Sequence, residues 1–215
     1  LSLAILEDKQ LLAETTINIK KNHSITLMPA IDFLIASLDL TPKDLDRIVV
    51  AEGPGSYTGL RIAVATAKTL AHTLNIELVG MSSLLALVPS QQVGLVVPLM
   101  DARRNNVYAG FYENAQPVFP EAHLSFAEVL EQVKDAKQVT FVGEVGAFVE
   151  QIQEQLPQAN YQETLPNAAN LALWAWDKEA ESLHDFVPNY LKRVEAEENW
   201  LKNHTESGES YIKRL

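Results

Sequence analysis

Residues 52–61, Glu-Gly-Pro-Gly-Ser-Tyr-Thr-Gly-Leu-Arg, are the part of this sequence best suited to hold a small anion. Its glycines allow positive φ and close backbone approach, and an apolar segment comes next that reads as a helix from about 60 to 74. The free N–H groups of that helix N-terminus would face whatever the loop holds. No Gly-Lys-Ser/Thr is present after it, so this is not a Walker A loop, and the dinucleotide-binding spacing is absent too. Ser56 sits in Gly-Ser-Tyr rather than in a nucleophile elbow, which leaves no catalytic serine to nominate. On shape alone the run fits both a structural strand-to-helix turn and a ligand-facing loop. Its candidate residues are Gly53, Pro54, Gly55, Ser56, Tyr57, Thr58, Gly59 and Arg61.

Asp101 with Arg103 forms the second candidate, a turn at the end of the apolar run 93–100. Either the carboxylate serves as base or metal ligand, or it is a turn residue paired with the arginine. Metal chemistry finds no other support. The histidines His23, His72, His123, His184 and His204 include no two at the helical spacing a metal needs, and there is no cysteine. His23 reads as a cap or surface residue. Glu197 and Glu198 fall in a solvated polar stretch and carry no acid–base signal.

Charge narrows the function further. The 17 basic and 28 acidic residues give a net charge of -11. Residues 1–110 hold 9 basic against 10 acidic groups and residues 111–215 hold 8 against 18, so the excess lies in the second half. A stand-alone nucleic-acid binder needs a basic face, because neutralising phosphates dominates such affinity. If this chain works on nucleic acid, a partner must do the gripping. An apolar content of 47% predicts one or two globular domains. No apolar run approaches the roughly 18 residues of a membrane helix. The start carries no leader pattern. A reducing cytoplasm fits best.

The elements that must position these residues repeat. Residues 1–6 and 11–19 read as strands around a turn at 7–10. A helix from 23 to about 38 comes next, with Ser24 as its cap and Pro29 oddly deep inside. A short helical turn at 41–42, a strand at 47–51, the glycine loop, its helix, a strand at 76–79 and a short helix at 82–87 complete the first half. The second half runs through strands at 93–99, 107–112 and 117–119, a helix at 126–134, a strand at 138–142, a glycine loop at 143–146 and a helix. A long helix is predicted over 167–183, and 195–215 is a polar tail anchored at Trp200, Tyr211 and Ile212. The two halves share one order of elements, except that the first lacks the strand that precedes Asp101 in the second. That strand is expected to be absent from this chain.

Two helices carry more apolar surface than one buried face needs. Leu27, Ile31, Leu34 and Leu38 make one stripe of the first helix, with Phe33 and Ile35 outside it. In the second, Ala63, Ala67 and Ala71 repeat every four residues as a smooth stripe, with Leu60, Ile62, Val64 and Leu70 around the rest. These stripes either pack inside their own lobe or meet a partner.

The string Gly-Pro-Gly-Ser-Tyr-Thr-Gly-Leu-Arg-Ile-Ala-Val-Ala-Thr-Ala-Lys-Thr-Leu-Ala at 53–71 resembles the signature of the TsaB (YeaZ) family. Asn22-His23-Ser24, Asp101-Ala102-Arg103 with Val107-Tyr108, and Pro188-Asn189-Tyr190-Leu191-Lys192-Arg193 resemble the same family. The resemblance implies an α/β, two-lobed actin-like (ASKHA, RNase H-like) fold with duplicated ββαβα-type mixed-sheet lobes, the N-terminal lobe without its first strand. Domains are expected at 1–90 and 91–193, with a tail at 194–215. Sugar kinases and ATPases of this fold place metal or base carboxylates where Asp101 stands. The catalytic relatives bind iron or zinc through a paired-histidine helix motif, where this chain has His23-Ser24-Ile25-Thr26-Leu27.

The same resemblance implies a non-catalytic scaffold, required for threonylcarbamoyladenosine modification of tRNA. Its partners would be a TsaD-like catalytic subunit, a TsaE-like ATPase and a second copy of itself, with tRNA reached only through the complex and no membrane involved. No metal or cofactor of its own is expected. ATP or ADP would bind, if at all, at the interface with the catalytic partner. Leu27, Ile31, Leu34, Ala63, Ala67 and Ala71 are the expected interface. The alternatives are an independent ATP-dependent or peptidase-like enzyme of the same fold, or a homodimeric regulator without a tRNA role.

Overall fold

A computed structural model describes residues 1–19, 23–91 and 93–191, with only the backbone of His23. Asn22, Lys192, Arg193 and the tail 194–215 with its three apolar anchors lie outside the described residues. Strands β1 (Ser2–Glu7) and β2 (Gln10–Thr16) form an antiparallel hairpin. Asp8 and Lys9 both take positive φ in its two-residue turn, whose twist suits the strands it joins. Helix α1 (His23–Ala36) runs with Pro29 inside it. Ser24 lies within the helix instead of capping it, since the first helical residue is already His23.

A parallel unit comes next: β3 (Arg47–Gly53), α2 (Tyr57–Leu74) and β4 (Glu77–Ser82), with β3 beside β4. Asn75 ends α2 in the left-handed conformation at φ 55, its N–H returning to the helix carbonyls. Ser56 caps the other end, so Tyr57, Thr58 and Gly59 are the first turn of the helix rather than loop.

The second half is one five-stranded sheet in the order β7-β6-β5-β8-β9. It comprises β5 (Leu95–Asp101), β6 (Asn106–Glu113), β7 (Gln116–Ser125), β8 (Val139–Gly143) and β9 (Asn160–Glu163). Helices α3 (Phe126–Val133) and α4 (Val149–Gln155) cover it. Ser125 and Glu128 form a reciprocal capping box at the start of α3. Phe111, Phe126, Phe141, Phe148 and Ile152 are fully enclosed between helices and sheet. Each such side chain contributes about 2–3 kcal/mol over an exposed one. β9 is the strand the sequence did not suggest: Asn-Tyr-Gln-Glu is polar and exposed throughout, as an edge permits.

β5 is the pivot of that sheet, antiparallel to β6 and parallel to β8. In the first half, β1–β2 and β3–β4 remain separate two-stranded sheets, with no strand among the described residues joining β1 to β3. Helix α5 (Ala168–Trp174) packs across β1, and its Ala168 N–H donates to Ser2 Oγ at 3.1 Å. The long helix expected over 167–183 stops there, because the residues after it are drawn onto the first half instead. Arg47 donates to the Trp176 carbonyl at 2.7 Å, and the Glu181 N–H donates to the Leu78 carbonyl at 2.8 Å. Residues that the sequence assigns to the second unit thus pack on the first.

Candidate functional site

The glycine loop leaves the C-terminal end of β3 and turns directly into α2. Gly53 and Pro54 are buried, joined by a cis peptide bond, and the Gly53 carbonyl accepts the Ser83 N–H at 2.7 Å. Gly53 is the position where glycine is required. Its φ is +141, and a Cβ there would lie 2.1 Å from the Asn189 carbonyl oxygen. Ser56, Tyr57, Thr58 and Arg61 are the exposed groups of the run. The Ser56 hydroxyl accepts from the Gly59 N–H at 3.4 Å and so completes the helix end. Arg61 donates from Nη1 to the Tyr57 hydroxyl at 2.6 Å, and its guanidinium lies 5.4 Å from the centre of that ring. Tyr57 also stacks on Tyr190, ring centres 5.2 Å apart and planes 29° from parallel.

Asn189 and Tyr190 hold the loop from outside the first half, the Asn189 N–H donating to the Glu52 carbonyl at 2.8 Å. The sequence contained this pair in Pro188-Asn189-Tyr190, but with no sign of what it touches. Phe186 was missed, and Lys68 stood in the 53–71 string with no role assigned to it. Phe186 is buried with Val50, Leu78, Ala67 and Ala71, and Lys68 donates to its carbonyl at 2.7 Å.

The second candidate turn is built from backbone. Asp101 Oδ1 accepts the Arg103 N–H at 2.7 Å, and the Asp101 N–H donates to Glu144 Oε2 at 2.7 Å. Arg103, Arg104 and Asn105 are three successive left-handed residues, with Asn106 Nδ2 donating to the Arg103 and Arg104 carbonyls. Asp101 thus bonds the main chain of Arg103. The turn's described bonds run to Glu144, Asn106, Phe126 and Gln151, and the glycine loop is bonded to Ser83 and Asn189. Among the described residues no three His, Asp or Glu side chains converge as a metal site.

Most of the expected interface faces inward. Leu27 and Leu34 are buried on the core side of α1, and Ala67 and Ala71 pack against β3, β4 and Phe186. The small side chains of Ala67 and Ala71 let α2 lie close on its own sheet. Ile31 and Ala63 are half-buried at the margins. Outward on α1 stand Ile25, Met28 and Phe33, at 70%, 46% and 68% exposure.

Electrostatic strain gathers beside the loop. Burial raises the pKa of the Glu52 carboxyl, and the nearby Glu181 carboxylate raises it further. Burial likewise pushes the Tyr112 phenol up, helped by Glu121, to which its hydroxyl hydrogen-bonds.

This mixed α/β architecture is consistent with an actin-like fold, and comparison with known proteins agrees. A crystal structure of an uncharacterized protein with similarity to peptidase YeaZ, from Pseudomonas aeruginosa, superposes with a TM-score of 0.74 at 27% identity, covering 89% of this chain and 94% of that one. A second structure, YeaZ from Pseudomonas aeruginosa, gives 0.73 at 27% identity over 88% and 93%. The family model described as TsaD, tRNA N6-adenosine threonylcarbamoyltransferase, matches residues 10–200. The tRNA threonylcarbamoyladenosine biosynthesis protein TsaB of Bacillus subtilis is 38% identical, with 94% of each chain covered. The chain belongs to the TsaB/YeaZ family, within this broader group of TsaD-like proteins.

Proposed function

We propose that this chain is a non-catalytic scaffold in the making of threonylcarbamoyladenosine in tRNA, holding a TsaD-like catalytic subunit in its active arrangement alongside a TsaE-like ATPase. The observation that carries the reading is 38% identity, across 94% of both chains, to a protein named for that biosynthesis. The net charge of -11 supports contact with tRNA only through the complex. The outward row Ile25, Met28 and Phe33 of α1 supports a protein partner, either the catalytic subunit or a second copy. Ser56, Tyr57, Thr58 and Arg61 present the glycine loop's polar groups to that partner, or to ATP or ADP between the two. The Asp101–Arg103 turn is the corresponding feature of the second lobe.

Reconstitution tests this. The chain should co-purify with the TsaD-like and TsaE-like proteins, and tRNA modification should require all three. Full modification without this chain would refute the scaffold role. The rival reading, an independent enzyme, draws on the likeness to a solved protein described by its similarity to a peptidase. Peptide cleavage or ATP hydrolysis by the isolated chain that persists through repurification would favour it.

A further inference from the structure

Residues 181–190 form neither helix nor strand, yet they cross the first half from β4 to the start of α2. Their footholds lie on different elements. Glu181 donates its N–H to Leu78 and accepts the Gly80 N–H on its carboxylate at 2.9 Å. Phe186, 4% exposed, fills the core between β3, β4 and α2. From α2, Lys68 Nζ reaches the Phe186 carbonyl at 2.7 Å and the His184 carbonyl at 3.4 Å. Asn189 then bonds Glu52, and Tyr190 stacks on Tyr57.

Contact with the glycine loop is steric as well as bonded. Gly53 lies against the Asn189 carbonyl with room for a hydrogen and nothing larger. Its described internal bonds are confined to a turn in which Ser182 bonds Asp185 and Phe186, so the order of the rest depends on the surfaces it crosses. The Gly53 side of the loop, in turn, is walled by this segment.

We propose that residues 181–190 are a strap that sets the glycine loop: the loop keeps its conformation only while the strap is seated, and the two open as one unit. The exposed groups Ser56, Tyr57, Thr58 and Arg61 thereby come under the control of a segment more than a hundred residues further along the sequence. A partner that draws on the strap alters how the loop is presented without touching it. The inference rests on contacts within this chain and holds whatever the loop binds.

Amide hydrogen exchange by NMR on the full 215-residue chain tests it, comparing the unmodified protein with Phe186→Ala and Lys68→Ala. The Asn189 amide reports the strap. The Ser83 and Leu60 amides, bonded to the Gly53 and Ser56 carbonyls, report the loop. Strand β8 serves as the distant reference. In Phe186→Ala, exchange at Asn189, Ser83 and Leu60 should rise by a common factor of at least about ten, with β8 unchanged. Faster exchange at Asn189 alone would overturn the proposal. Should Phe186→Ala instead melt β3 and α2 throughout, Lys68→Ala decides by the same criterion. It removes the ammonium on the strap carbonyls, together with its aliphatic stem, and leaves the strap's core anchor in place.

Discussion

Glu52 and Glu181 aim their carboxylates at the same glycine. A Cβ on Gly80 would lie 2.6 Å from Glu52 Oε2 and 2.7 Å from Glu181 Oε1. Two acids from elements far apart in sequence are thus held together where β4 offers no side chain to separate them.

That pairing gives stability a pH dependence of definite sign. Burial and then the Glu181 charge raise the Glu52 carboxyl in the folded state, with Glu121 adding to the effect and Lys178 opposing it. The folded chain therefore keeps a proton at pH values where the unfolded chain has lost it. Stability should fall as pH rises from the ordinary value of 4.5 through the raised one, and recover on acidification. Glu52→Gln should flatten this dependence and stabilise the protein at neutral pH, measured by urea unfolding across the range.

Gly53 and Gly55 should respond differently to the same change. Gly53→Ala drives a methyl into the Asn189 carbonyl at a φ that alanine resists, and should cost about 2 kcal/mol or more. At Gly55 the nearest atoms are on the flexible Leu60 side chain, 3.6 Å away, and φ is ordinary. Gly55→Ala should stay within about 1 kcal/mol of the parent in thermal melts.

Ala67→Arg tests where the alanine stripe faces. With Ala67 at 5% exposure against Val50, Leu78 and Phe186, the substitution buries an unpaired charge inside the lobe. A loss of at least about 3 kcal/mol is expected, seen as a lowered melting temperature by circular dichroism.

Phe33→Glu tests the opposite side. Phe33 is 68% exposed, so the monomer's stability should change by no more than about 0.5 kcal/mol. Association with a second copy or with the TsaD-like subunit should weaken at least about tenfold, since a charge would enter the apolar contact. Analytical ultracentrifugation reads the self-association and a pull-down reads the other.

Strands and helices with clear periodicity were legible in the sequence; long-range claims on the chain were not. The second-half sheet could be read because β5, β6 and β8 are runs of buried apolar residues. β9 could not, because an exposed edge such as Asn-Tyr-Gln-Glu needs no pattern. The helix read through 183 broke off where Arg47 and Leu78, distant in sequence, captured the backbone beyond it. The alanine stripe was the most instructive ambiguity. A methyl side chain permits close approach by any neighbour, and only the fold shows that the neighbour is the lobe's own sheet. For the glycine loop, the spacing marked the place but not the cause, since the oxygen that demands glycine at 53 belongs to residue 189.

The two separate hairpin-sized sheets of the first half carry a consequence for how this chain behaves in company. β5 satisfies β6 on one side and β8 on the other, whereas among the described residues β1 and β3 each pair on a single side. Their remaining N–H and C=O groups form two rims of hydrogen-bonding capacity, a template for any extended backbone. One polypeptide lying antiparallel to β1 and parallel to β3 would quench both rims at once, as β5 does in the other lobe. Amides on the unpaired edges of β1 and β3 should therefore exchange with solvent faster than those of β5, which is paired on both sides.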